Sequence, residues 1–375
     1  MRLAIKSMRL AIKLLAFATL FSLSAFAQNN FNAASYSGAD ASLKINACLA
    51  AVISSGGGVC DATKLGGMQK MSEEIRLGSD ETVKNRIGIT LLLPDTGVWK
   101  WHLTDPASCG VRQFSSTSII GNQPGGGGNR MVLTADAGSN MDAIYCTDAS
   151  PIGNYVRAEG FSVWNNQPGS TFENGVIHIR DAVDQSSFTR IFGENYYGDV
   201  WHIESACCGV RFENIHATSN GSIVRNGSKG GVPLTIGPGK VRSVSFYDVS
   251  INQPGSGSPD ILIRGGGVMA VNFFDLYMEG NGGIDDKTSM VFIASTVGPI
   301  HFFGGFANTE QGQLRSTKTV FENHGLALEV SAFETASTTL GINDVTAGVK
   351  TESHPFKGNL GTILSYRTGR TEPAR

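Results

Sequence analysis

The chain has 375 residues, with 30 Lys/Arg against 32 Asp/Glu, a formal charge of −2 and only 17% charged side chains. That balance carries no basic stripe, the electrostatic footprint of a nucleic-acid binder. With 47 glycines and so few charges, the composition points to many strands and turns.

Residues 1–27 read as a secretory signal peptide. Arg2, Lys6, Arg9 and Lys13 precede the apolar run "LLAFATLFSLSAFA", which closes on the small-x-small pattern Ala25-Phe26-Ala27. Cleavage is expected before Gln28. The run is short for a membrane span of about 20 residues, and no later segment is apolar enough to be one. Without those four cations the balance is 26 basic to 32 acidic, or −6. The expected location is secreted, periplasmic or extracellular. In such a compartment six cysteines, at 48, 60, 109, 146, 207 and 208, favour disulfides over a metal site. No C-x-x-C pair occurs. Six cysteines allow fifteen pairings, and spacing alone does not select one.

The first predicted element is a helix. Ile45, Cys48, Leu49, Val52 and Ile53 recur at helical spacing. Asp40 or Ser42 caps its start, and Gly56–Gly58 end it. The segment "GGVCDAT" that follows reads as a strand.

From about Tyr155 a strand-like motif recurs without a strict period: "VRAEGFSV", "RIFGENY", "VRFENIHA", "VSFYDVSI", "VNFFDLYM" and "HFFGGFAN". Each passes through a Gly, Asn or Asp suited to left-handed backbone, at Gly160, Gly193, Asn214, Asp248, Asp275 and Gly305. A second apolar segment lies between copies, as in "GVIHIRD" and "DVWHIES". Short strands repeating every 20–35 residues or so describe a solenoid, whose units bury their apolar faces only against their neighbours. The expected fold is an all-β solenoid over residues 28–340. A β-propeller would show a more regular four-stranded unit. The helix then has a purpose, since it covers the open end of the coil. A Cys48–Cys60 bridge would pin it there. Residues 341–375 read as a polar C-terminal segment whose end, "TGRTEPAR", is disordered.

The stretch "YSGADASLKINACLAAVISSGGGVCDA", Tyr36 to Ala62, resembles the N-terminal signature of the pectate lyase superfamily. That group includes polygalacturonases, rhamnogalacturonases and phage tailspikes, and the resemblance implies that the coil is a single-stranded right-handed parallel β-helix. "LLLPDTGVWKW" and "STSIIGNQPGGGGNRMVL" are similar to its second and third coils, and the likeness in architecture runs from Asn30 to about Glu334. It implies a pectin-like or other acidic polysaccharide as partner, cleaved by hydrolysis or β-elimination. Calcium would be the cofactor of a lyase. The catalytic motifs of the family are absent apart from "IDD" at Ile284–Asp286, so its chemistry does not transfer residue by residue. The rival function is a non-catalytic glycan-binding or surface structural protein. The chain is expected to act as a monomer.

Candidate site residues come from the loops that a solenoid displays. Glu279 and Glu310 follow successive corners at similar offsets, which would set two carboxylates about one coil apart as an acid and base. Asp285 and Asp286 share the loop of Glu279 and would assist or bind calcium. Trp164, Tyr196 and Tyr197 offer ring faces for sugar stacking, while Trp201 reads as buried. No metal site is expected. Asp248 and Asp275 read as turn formers, "PGGGGN" as a loop between coils, and His178, His202 and His216 as packed or rim residues. Cys207 and Cys208 read as bridges to other coils or buried thiols, with a strained redox disulfide as the rival.

Overall fold

The computed structural model describes residues 29–122, 130–148, 155–182, 184–219, 231–252, 258–279, 289–294, 296, 298–308, 319–325, 327–335, 340–344, 354–356 and 364–367. The leader, Asp285, Asp286 and Glu310 lie outside them.

Parallel strands stack into a β-solenoid, as the repeat predicts. Among the described residues they form a 17-stranded sheet and an 11-stranded sheet. Each coil contributes two arms to the larger sheet, separated by a bend, and one strand to the smaller. One coil, for example, runs Val156–Asn165 through the bend and then Ile177–Ile179 in the second sheet. The next runs Ser187–Asn195 and then Trp201–Ile203, in register with the first. Alternation sends every second side chain inward. Phe188, Phe212, Phe246, Phe273 and Phe302 form one inward column, each fully buried. Their ring centroids are 4.6–4.8 Å apart, which is the spacing of the strands themselves.

The bend is where the sequence expectation needs correcting. Strand register places Gly160, Arg190, Asn214, Asp248, Asp275, Gly304 and Ala332 in one column. All seven have φ between 50° and 75°. Four of the six predicted corners are correct. Gly193 lies three residues past its bend, facing inward opposite Val163 and Ala217. Gly305 lies one residue past Gly304. Arginine has no intrinsic taste for left-handed backbone, so residue type gave no hint at 190. At Gly160 the preference is steric as well, because an added Cβ would lie 2.2 Å from the Gly121 carbonyl oxygen.

The capping helix spans Ala41–Ser54. The Asp40 carboxylate accepts from the Leu43 N–H at 3.1 Å, and Ile45, Cys48, Leu49 and Val52 are buried. The helix packs on the strands Asn30–Asn32, Gly58–Asp61, Gly67–Met71 and Ile75–Leu77, so it covers the end of the coil. Gly58 is not in the first rung, because Asn30–Asn32 pairs outside it. Cys48 and Cys60 are bonded, as expected, and Cys109 bonds Cys146. Cys207 and Cys208 bond each other, which corrects the expectation of bridges to other coils or buried thiols. Among the described residues no helix is long and apolar enough to cross a membrane.

Candidate functional site

Beyond the bend, the second arm presents its outward side chains in two columns. Register sets Thr134, Trp164, Glu194, Thr218, Asn252 and Glu279 in one. Val132, Ser162, Phe192, His216, Ser250 and Tyr277 form the other. Polar and aromatic groups concentrate around Arg130, which leads into the strand Met131–Ala135. The Arg130 guanidinium lies 5.9 Å from the centre of the Trp164 ring and 3.9 Å from the Glu194 carboxylate. Trp164 meets Tyr196 with ring centroids 6.5 Å apart. The Tyr196 N–H donates to the Asn165 carbonyl at 3.0 Å, and the Tyr197 N–H to Asn195 Oδ1 at 3.1 Å. Those contacts hold both tyrosines where the strand Ser187–Asn195 ends.

Two proton affinities are displaced here. Burial pushes the Glu194 carboxyl up, and Arg130 and Tyr196 oppose this without cancelling it. Burial, reinforced by the Arg130 charge, pushes His216 down to about 4. Around neutral pH the His216 imidazole is therefore uncharged. It stacks on Phe192 at 5.1 Å, and its Nε2 lies 2.5 Å from Thr218 Oγ1. When Nε2–H donates to that hydroxyl, the Nδ1 lone pair is left over. A carboxyl of raised proton affinity, a neutral imidazole, a cation and an aromatic platform together can bind an anion and move protons. Two donors on the same strand, Ser162 Oγ and Trp164 Nε1, are buried and have no hydrogen-bond partner among the described residues.

Trp164 and Tyr196 thus come together, Tyr197 is adjacent, and Trp201 is fully buried. Glu279 stands in the Glu194 column, three rungs on. Glu310, Asp285 and Asp286 lie outside the described residues. Glu194 escapes the sequence reading because of the misplaced bend. Counted from Gly193, Glu194 falls one residue past the corner, like the inward Phe161 after Gly160. Counted from Arg190 it falls four residues past, as Trp164 and Glu279 do from their own corners.

A second polar cluster lies outside the smaller sheet. His178, 2% exposed, faces Asp142 through Nδ1 at 2.8 Å and Glu204 through Nε2 at 3.0 Å. Burial pushes Asp142 up, but His178, Asn174 and Arg180 outweigh it and leave the carboxyl below its ordinary value. His202 stacks on His178 at 5.0 Å and is pushed down, first by burial. This network fastens the covering loops to the sheet. The one cluster of metal-type donors found among the described residues, Cys109, Asp142 and Cys146, has both sulfurs tied in a disulfide and offers no thiolate.

No known family and no curated protein matches the chain. Among solved structures, ORF18 of Geobacillus virus E2 is similar at 10% identity with a TM-score of 0.38. The match covers 84% of this chain and 65% of that one, so the chain spans a little under two thirds of its length. What is established is the architecture, a parallel β-solenoid.

Proposed function

We propose that the chain is an exported, carbohydrate-active protein of the pectate lyase-like kind that cleaves an acidic polysaccharide on the outward face of the second arm. One observation carries this reading: Arg130 stands among a carboxyl of raised proton affinity, a neutral imidazole and an aromatic ring. Trp164 and Tyr196 stack a sugar ring, and Arg130 pairs with its carboxylate. The paired carboxylate acidifies the proton on the neighbouring carbon. Nδ1 of His216 takes that proton, and Glu194 gives its own to the departing glycosidic oxygen. The result is β-elimination, which leaves an unsaturated uronide.

Hydrolysis is less well served. Glu194 and Glu279 are three rungs apart, about 14 Å at a strand spacing of about 4.8 Å. An inverting pair needs about 6.5–9.5 Å. Calcium fits poorly beside Glu194, because the Arg130 guanidinium already faces that carboxylate, and no step is assigned to it.

The test is a panel of uronate polysaccharides assayed for absorbance of unsaturated ends and for reducing ends. Both signals together are expected. Reducing ends without absorbance would replace elimination by hydrolysis. Silence in both, with binding retained, would leave the non-catalytic glycan-binding reading.

A further inference from the structure

We infer that Cys207–Cys208 is a thiol-exchange site, open to dithiol reductants and, once reduced, to trivalent arsenicals, while the rest of the fold stays intact. The three disulfides differ sharply in access. Cys48, Cys60, Cys109 and Cys146 are all 0% exposed, whereas Cys208 is exposed and Cys207 half-buried. Exchange requires a thiolate to reach a sulfur atom, so only the adjacent pair can react in the native state.

The surroundings favour the chemistry. The pair sits in a bulge, where register with the next strand is lost at Cys207 and regained at Val210. Cys208 and Gly209, at φ 76° and 89°, loop out of the ladder. On either side the backbone is held. The Cys207 N–H donates to Ala182 O at 2.8 Å, and the Arg211 N–H donates to Ser186 O at 2.9 Å. Opening the ring therefore relaxes two residues and leaves the coil in place. The strand partner of Cys207 is Arg242, whose Nε is buried and has no hydrogen-bond partner among the described residues. A guanidinium beside a leaving thiolate stabilises it. Glu204, the Asp181–Ser205 pair and Asp184, which lies between the anchoring residues Ala182 and Ser186, are acidic groups nearby and act against this. Glu204 is turned toward His178, and burial keeps Asp181 readier than usual to hold its proton.

The step balances. A thiolate of the reductant attacks Cys208 Sγ, a mixed disulfide forms, the Cys207–Cys208 bond breaks, and Cys207 leaves as the thiolate. The second thiol of the reductant then attacks its own sulfur in the mixed disulfide and releases Cys208. Two electrons and two protons pass to the protein, and the reductant becomes a disulfide. Phenylarsine oxide then forms two S–As bonds to the adjacent thiols and releases water.

The experiment treats the folded chain with dithiothreitol, then labels thiols and maps the peptides. Two labels are expected, both at Cys207 and Cys208, appearing at least about tenfold faster than any at the four buried cysteines. Phenylarsine oxide, one per chain, should block them. Arg242→Met should slow reduction several-fold, and Arg242→Lys should restore it. Reduction of the buried bridges at the same rate, or of 207–208 only on unfolding, would overturn the site. Free thiols at 207 and 208 before reduction would overturn it too. An unchanged rate in Arg242→Met would overturn the role of the arginine.

Discussion

His216 should make the protein lose stability in mild acid, and the amount follows from its surroundings. Burial and the Arg130 charge hold the folded imidazole at about 4, against about 6.5 in an unfolded chain. The folded value is the lower one, so the unfolded state takes the proton first. The stabilising contribution is therefore complete above about pH 6.5 and is lost as pH falls toward 4. The full difference of about 2.5 units corresponds to about 3 kcal/mol, an upper figure because the ring is partly exposed. About 2 kcal/mol of it should be gone by pH 5. Buried carboxylates such as Asp142 also weaken the fold in acid, so wild type alone does not isolate the effect. His216→Phe keeps a ring against Phe192 and removes the titration. Urea midpoints for both proteins at pH 7.0, 6.0 and 5.0 give the difference directly. The wild type should fall relative to the variant by about 2 kcal/mol between pH 7 and 5. Parallel curves over that range would refute the reasoning.

Three further outcomes are expected. If unsaturated product is detected, Glu194→Gln should lower kcat by about 10²–10⁴-fold with the thermal midpoint nearly unchanged, while Trp164→Ala should act mainly through KM. Asp142→Asn leaves His178 and Arg180 without their shared carboxylate and should cost roughly 3 kcal/mol in urea unfolding at pH 7, with the gap closing as acid protonates wild-type Asp142. Replacing Cys48 and Cys60 together by serine should cost about 2–4 kcal/mol, read as a lower thermal midpoint and increased aggregation from the capped end.

What the sequence by itself determined was local and periodic. Strand alternation, polar punctuation and a variable repeat specify a solenoid, because each coil must bury one face of its strands against its neighbours. The helix at Ala41–Ser54 was equally legible, from its apolar spacing, its Asp40 cap and the glycines after it. So was the Cys48–Cys60 bridge, since a cap has to be fastened to the coil beside it. Register between coils is a different kind of information. A bend at Arg190 rather than Gly193 cannot be read from residue type, because the column geometry imposes positive φ on whichever residue arrives there. That three-residue difference decides whether Glu194 points into the core or stands beside Trp164. Arg130 belongs with Glu194 and His216 for the same reason. Sequence separations of 64 and 86 residues say nothing of contact until the coils are stacked at one strand spacing, and stacking is a property of the tertiary structure alone.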